Sequence, residues 1–187
     1  MKNLKSIALA LVALVTLSTT AQTKKIDASK SSINWVGKKV TGSHEGTINL
    51  QEGALIFKGK KLVGGNFTVN MTTINTTDLE GKGKANLDGH LKSDDFFGVE
   101  KYPTATLVFK SIGEKGNGVY SVTADLTIKG KTESIKFEIT VSGSTATTNL
   151  KVDRTKYDIK YGSGSFFSDL GDKTIYDDFE LSVKLVF

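Results

Sequence analysis

The sequence predicts an all-β domain: one antiparallel up-and-down β-barrel of about eight strands, with one short helix in a loop. Three observations predict it. Apolar and polar residues alternate with period two over many segments, which gives each strand one oily and one wet face. Nineteen glycines against a single proline suit a curved sheet, because glycine permits the bulges and tight turns that closure needs. Successive strands are joined by hairpin-length connections, which favours closure in chain order over a Greek-key sandwich.

At the N-terminus, Lys2 and Lys5 precede an apolar run over residues 7–17, shorter than the ~20 residues that cross a bilayer. Thr19, Thr20 and Ala21 then supply small residues ahead of a cleavage point. Residues 1–21 therefore read as a signal peptide, and 22–187 as the mature domain, periplasmic or secreted. Phe67, Val69 and Met71 mark a strand, after a stretch punctuated by Gly59, Gly64 and Gly65. Residues 88–97 have a brief helical character. Tyr102-Pro103 bends the chain into an alternating strand over 104–110, since proline presets the backbone. Gly116-Asn117-Gly118 opens another strand. Val122, Ala124, Leu126 and Ile128 then alternate with Thr123, Asp125 and Thr127, and a tight turn at Gly130 leads to Ile135, Phe137, Ile139 and Val141. Ile175, Phe179, Leu181, Val183, Leu185 and Phe187 form the oily face of the last strand. Gly81-Lys82-Gly83-Lys84 and Gly162-Ser163-Gly164-Ser165 lack the strand–loop–helix setting of a phosphate loop and read as mobile loops.

Composition removes several classes of chemistry. With no cysteine there is no lipoprotein anchor, disulfide, thiol nucleophile or thiolate metal site. Removing Lys2 and Lys5 lowers the formal net charge of +5 by two, and the remaining charges interleave, so no nucleic-acid surface is expected. Ser93, His90 and Asp94 are too close along one turn for a catalytic triad, and no nucleophile elbow or His-Glu-x-x-His helix occurs. His44, Glu45, Asp88 and His90 could bind a metal only if their loops converged, and the 45-residue spacing of the two histidines gives no such signature. The expectation is a protein without catalysis, cofactor or metal. A terminal Phe187 on an alternating strand also fits a small outer-membrane barrel, but five tyrosines and one tryptophan are few for aromatic girdles.

Five motifs, in order, carry a resemblance over essentially the whole mature chain. Asp27-Ala28-Ser29-Lys30-Ser31 before Ile33-Asn34-Trp35 resembles the first strand of the YceI-like family, and Thr41-Gly42-Ser43-His44-Glu45-Gly46 its first hairpin. His90-Leu91-Lys92-Ser93-Asp94-Asp95-Phe96-Phe97, with Tyr102-Pro103-Thr104-Ala105, resembles its central signature. Leu126-Thr127-Ile128-Lys129-Gly130-Lys131-Thr132 and the late Arg154…Tyr157-Asp158-Ile159 segment complete the match.

The resemblance implies a lipocalin-like barrel that carries or sequesters a long isoprenoid-type lipid, a polyprenyl chain or isoprenoid quinone, without stable membrane insertion. Oligomeric state, including a homodimer, stays open. Trp35, Phe67, Val69, Phe109, Leu126, Phe137 and Phe179 are the expected lining residues, with phenylalanines either lining or plugging the barrel and Trp35 expected as core at its base. Phe96 and Phe97 close one end or gate the lipid. His90 and Arg154 either hold the loops or meet a polar head group. A barrel filled by its own side chains would leave a stress-response role exercised through the surface.

Overall fold

The computed structural model describes residues 20–187. Most of the segment read as a signal peptide therefore lies outside the described residues. Among the described residues there are nine strands, which alternate in direction from β2 onward: β1 (Ala21–Lys25), β2 (Ser32–Lys39), β3 (Gly42–Lys58), β4 (Lys61–Thr76), β5 (Thr104–Gly116), β6 (Val119–Ile128), β7 (Lys131–Ser142), β8 (Thr145–Asp153) and β9 (Ile175–Val186). From β2 to β9 each strand pairs antiparallel with the next, and β9 returns to β2, so eight strands close an up-and-down barrel. Strand β1 pairs with Ala54–Lys58 of β3, the half that β2 does not reach.

The segment resembling a first strand is a turn over 27–31 followed by β2, and β1 precedes it. Asp27 holds this turn by accepting hydrogen bonds from the Ser29 amide and hydroxyl, while Ser31 Oγ donates to the Asp27 carbonyl. Hydrogen bonding to Lys30 and Ser29 lowers the Asp27 pKa to about 2. The Lys129-Gly130 turn has both residues at positive φ, 51° and 73°, the conformation that matches the twist of a two-residue hairpin.

The helix, α1 (Gly81–Lys92), starts before the expected residue 88 and stops before 97. Its Gly-Lys-Gly-Lys opening is a poor helix former, so tertiary bonds fix it. Lys84 Nζ donates to Asn75 Oδ1 (2.6 Å), the Thr76 carbonyl (2.8 Å) and Asp88 Oδ2 (2.7 Å), and the Thr76 amide donates to Asp88 Oδ1. Burial raises the Asp88 pKa, but Lys84 and Thr76 outweigh it, and the net shift is downward. A carboxylate with a depressed folded-state pKa contributes stability above its unfolded pKa of ~4 and loses it as pH falls through the folded value. The protection of α1 amides, taken relative to intrinsic exchange at each pH, is therefore expected to fall on acidification below about pH 4. Asp88→Asn is expected to show fast α1 exchange already at neutral pH, with less acid dependence.

The second glycine–serine stretch is also ordered. Ser163 is fully buried and bridges Ile175, and its carbonyl accepts from the amides of Phe166 and Phe167.

Candidate functional site

The alternating strands gather the hairpins after β3, β5 and β7 at one end of the barrel, with the end of β9. There Phe57, Leu62, Tyr120 and Val122 are buried, and Phe57 packs on Phe187 with ring centroids 5.7 Å apart. This end is filled. The other end collects the β2–β3 hairpin, α1, the β6–β7 turn and residues 154–174, and towards it the interior is hollow. The cavity measures about 180 Å³.

All nine residues expected to line the barrel or its mouth border this cavity. Phe67 and Phe109 are buried, 5.6 Å apart between centroids, and Phe137 stands edge-on to Phe109 at 5.8 Å. Two of these rings rest on glycines: a Cβ at Gly53 would lie 2.6 Å from Phe67, and one at Gly65 2.8 Å from Phe109. The phenylalanines thus plug one part of the barrel and line another. Val69 and Leu126 add aliphatic wall. Phe96 is buried and edge-on to Phe97 at 5.2 Å, and Phe97 is edge-on to Phe179 at 6.2 Å, a capping run from the α1 loop onto β9.

Trp35 is not at the filled base. It borders the cavity, partly buried, and Nε1 donates to the Thr47 carbonyl at 3.2 Å.

The two expected polar contacts differ. Arg154, 2% exposed, borders the cavity, but Nε donates to the Tyr176 carbonyl (3.1 Å), Nη1 to Ile159 (2.7 Å) and Nη2 to Ile175 (3.0 Å). Burial lowers its pKa, opposed by nearby Asp177, whose Oδ1 lies 3.7 Å from Nη2. His90 lies beside the cap instead, its ring edge-on to Phe96 and Tyr161 at 5.5 and 4.4 Å.

Sequence reasoning missed the opening. Gly37 of β2 pairs with Phe179 and Lys39 with Ile175, so Lys38 alone faces Tyr176, Asp177 and Asp178. This bulge parts the strands, and Gly37, Lys38, Tyr176 and Asp178 border the cavity there. The charged groups at the rim are matched by Lys38–Glu180 (2.6 Å) and Asp178–Lys151 (2.8 Å). A second discontinuity separates β7 from β8. They pair only over Thr140–Ser142 and Thr145–Thr147, and beyond that Thr148 Oγ1 donates to the Glu138 carbonyl. The 3-10 turn Arg154–Tyr157 packs against β7. Burial of its Tyr157 raises the phenol pKa to about 12.

Among the described residues no group of three His, Cys, Asp or Glu side chains could hold a metal. His44 Nδ1 instead lies 2.8 Å from Asp78 Oδ2, and Asp88 is committed to Lys84. The outer wall carries ion pairs such as Lys110–Asp125 (3.3 Å) and Lys61–Glu114 (3.0 Å), the reverse of the apolar band that a membrane-spanning barrel needs.

A closed up-and-down barrel with a charged exterior, one filled end and one hollow apolar end is a lipocalin-like barrel. The chain belongs to the YceI-like family, whose domain matches residues 25–187. A UPF0312 protein of Vibrio cholerae is 30% identical over 137 residues, covering 72% of this chain and 70% of that protein. A UPF0312 protein of Shewanella denitrificans is 37% identical over 90 residues, 48% of this chain and 45% of that relative's length. In structure the chain is similar to Burkholderia cenocepacia BcnA (TM-score 0.64, 24% identity, 87% of this chain and 99% of that one). It is also similar to a polyisoprenoid-binding domain from Saccharophagus degradans implicated in plant cell wall breakdown (TM-score 0.59, 16% identity, 86% and 95% covered). At these identities the likeness is one of fold.

Proposed function

We propose that this chain is an exported, non-catalytic carrier that holds the hydrocarbon tail of an isoprenoid-type lipid in the barrel and moves it between membranes. The observation that carries this reading is the apolar lumen, open at the β2–β9 bulge and bordered by charged groups that already have partners within the protein. The polyisoprenoid-binding description of the Saccharophagus degradans domain supports it. Each buried methylene contributes ~0.8 kcal/mol, so a tail binds firmly without a polar anchor. Export rests on the N-terminal lysines, apolar run and small residues of the sequence.

The size of the lumen limits what enters without rearrangement. A cavity near ~150 Å³ accepts one benzene-sized group, and this one measures about 180 Å³. A tail of several isoprene units must therefore displace rings or extend through the opening.

Native mass spectrometry of protein purified from its own compartment without detergent, followed by organic extraction, tests the proposal. The expected result is a discrete added mass that releases a polyisoprenoid or isoprenoid quinone. A clean apo mass with no uptake of added isoprenoid lipid would refute it.

Gly37 gives a second check. A Cβ there meets nothing within 4 Å, and the residue borders the lumen. Gly37→Leu is expected to change stability by less than about 0.5 kcal/mol while weakening isoprenoid binding about tenfold. Thermal melts and a lipid-uptake titration measure the two effects.

A further inference from the structure

Five of the eight large hydrophobic residues exposed among the described residues belong to the β2–β3 hairpin, the connection into β9 and the start of that strand, at the open end: Val40, Tyr161, Phe166, Phe167 and Tyr176, each about half exposed. They belong to one ordered structure. The Val40 amide donates to the Thr174 carbonyl (3.1 Å), and the Ile175 amide to Gly162 (2.8 Å). The amides of Phe166 and Phe167 both bind the carbonyl of fully buried Ser163, and Ser165 Oγ donates to Asp177 Oδ2. The two rings are thus held outward by a fixed turn. Tyr176 joins this collar to the lumen, because it is 51% exposed and also borders the cavity beside Gly37.

We propose that this collar docks the barrel on the interfacial layer of a lipid bilayer, placing the opening where an apolar chain can pass between bilayer and lumen. The proposal rests on the lipid-carrier reading above. An apolar patch beside a functional opening calls for a partner, and its chemistry selects which one. Tyrosine rings favour the membrane–water boundary, and phenylalanine on an otherwise polar surface anchors there. Two nearby lysines are paired within the protein: Lys160 with Asp158 at 2.9 Å, while its ammonium covers the Phe166 ring at 4.9 Å, and Lys38 with Glu180. The remaining charges beside the collar, Lys39 and Lys173 against Asp169 and Asp172, are equal in number and opposite in sign. Such a surface matches a neutral lipid interface and offers little to a polyanion. A second copy set mouth to mouth would bury the same rings but shut both lumens off from any lipid source.

Flotation of the purified protein with phosphatidylcholine vesicles tests this. Binding is expected to change less than about twofold on raising salt to roughly 0.5 M, since the attraction is not ionic. Phe166→Ser with Phe167→Ser is expected to weaken binding at least about tenfold with an unchanged melting profile, while Val63→Thr with Val108→Thr, exposed positions outside the collar, leaves it intact. Geranylgeraniol uptake is measured in parallel, from aqueous dispersion and from vesicles. The collar variant should keep the first route and lose the second. Vesicle binding that survives the collar substitutions, or a collar-dependent dimer with no vesicle binding, overturns the proposal. Vesicle binding through the collar with no isoprenoid uptake by either route would instead remove the carrier reading and leave the docking surface standing.

Discussion

Arg154→Met is expected to destabilise the protein by about 3–5 kcal/mol, the cost of breaking a buried charge network by removing one partner. Methionine matches the side-chain length and suits an apolar site, so steric loss is small. The cost lies in what remains. The carbonyls of Ile159, Ile175 and Tyr176 lose their guanidinium donors, and Asp177 loses its nearby cation. Typical domains are stable by only ~5–15 kcal/mol, so chemical denaturation should show the change plainly. Arg154→Lys retains a charge but cannot spread three donors over three carbonyls, and should fall between methionine and wild type. Adding Asp177→Asn to Arg154→Met removes the uncompensated carboxylate and is expected to recover about 1 kcal/mol or more. If Arg154→Met were as stable as wild type and lost only lipid affinity, the arginine would be a head-group ligand rather than the clasp joining the 3-10 turn to β9.

That clasp shows how much of this molecule was legible in its sequence. The alternation over Val122–Ile128 translates directly into β6, where Tyr120, Val122, Ala124, Leu126 and Ile128 are all buried. Where a strand bulges, period two no longer reports the facing residue. In β3 the register shifts between Leu50 and Glu52, so the large buried residues fall at even positions before it (Ile48, Leu50) and at odd positions beyond it (Leu55, Phe57), with the small Ala54 buried on the other face where β1 pairs. The opening depends on the same effect, and no local pattern around Gly37 or Tyr176 announces that one residue will face three. Helix α1 was hidden because Lys84 and Asp88 reach residues at the end of β4, while propensity alone argues against Gly-Lys-Gly-Lys. Alternation places Phe109 and Phe137 inward. Whether an inward ring plugs or lines depends on packing across the barrel, which requires the closed structure.

Phe109 can separate those two roles. Its ring is buried between Phe67 and Phe137 and rests over Gly65, at the boundary between hollow lumen and filled end. Phe109→Ala is expected to cost about 3–5 kcal/mol in the empty protein through lost contacts and the space left behind. For a domain of this size that lowers the melting temperature by roughly 6–20 °C. The same space extends the lumen towards the filled end. Each further methylene it admits contributes ~0.8 kcal/mol, so longer isoprenoid tails should bind the variant more tightly than wild type, while short tails gain little. Ligand bound only to the folded state stabilises it by mass action, so long tails should restore much of the lost melting temperature and short ones should not. Phe57→Ala is the control. Phe57 is buried at the filled end against Phe187 and does not border the cavity, so it should cost similar stability and leave chain-length preference unchanged. Identical chain-length profiles for Phe109→Ala and wild type would mean that the tail does not reach this ring, and the capacity of the barrel would then be set by the open end alone.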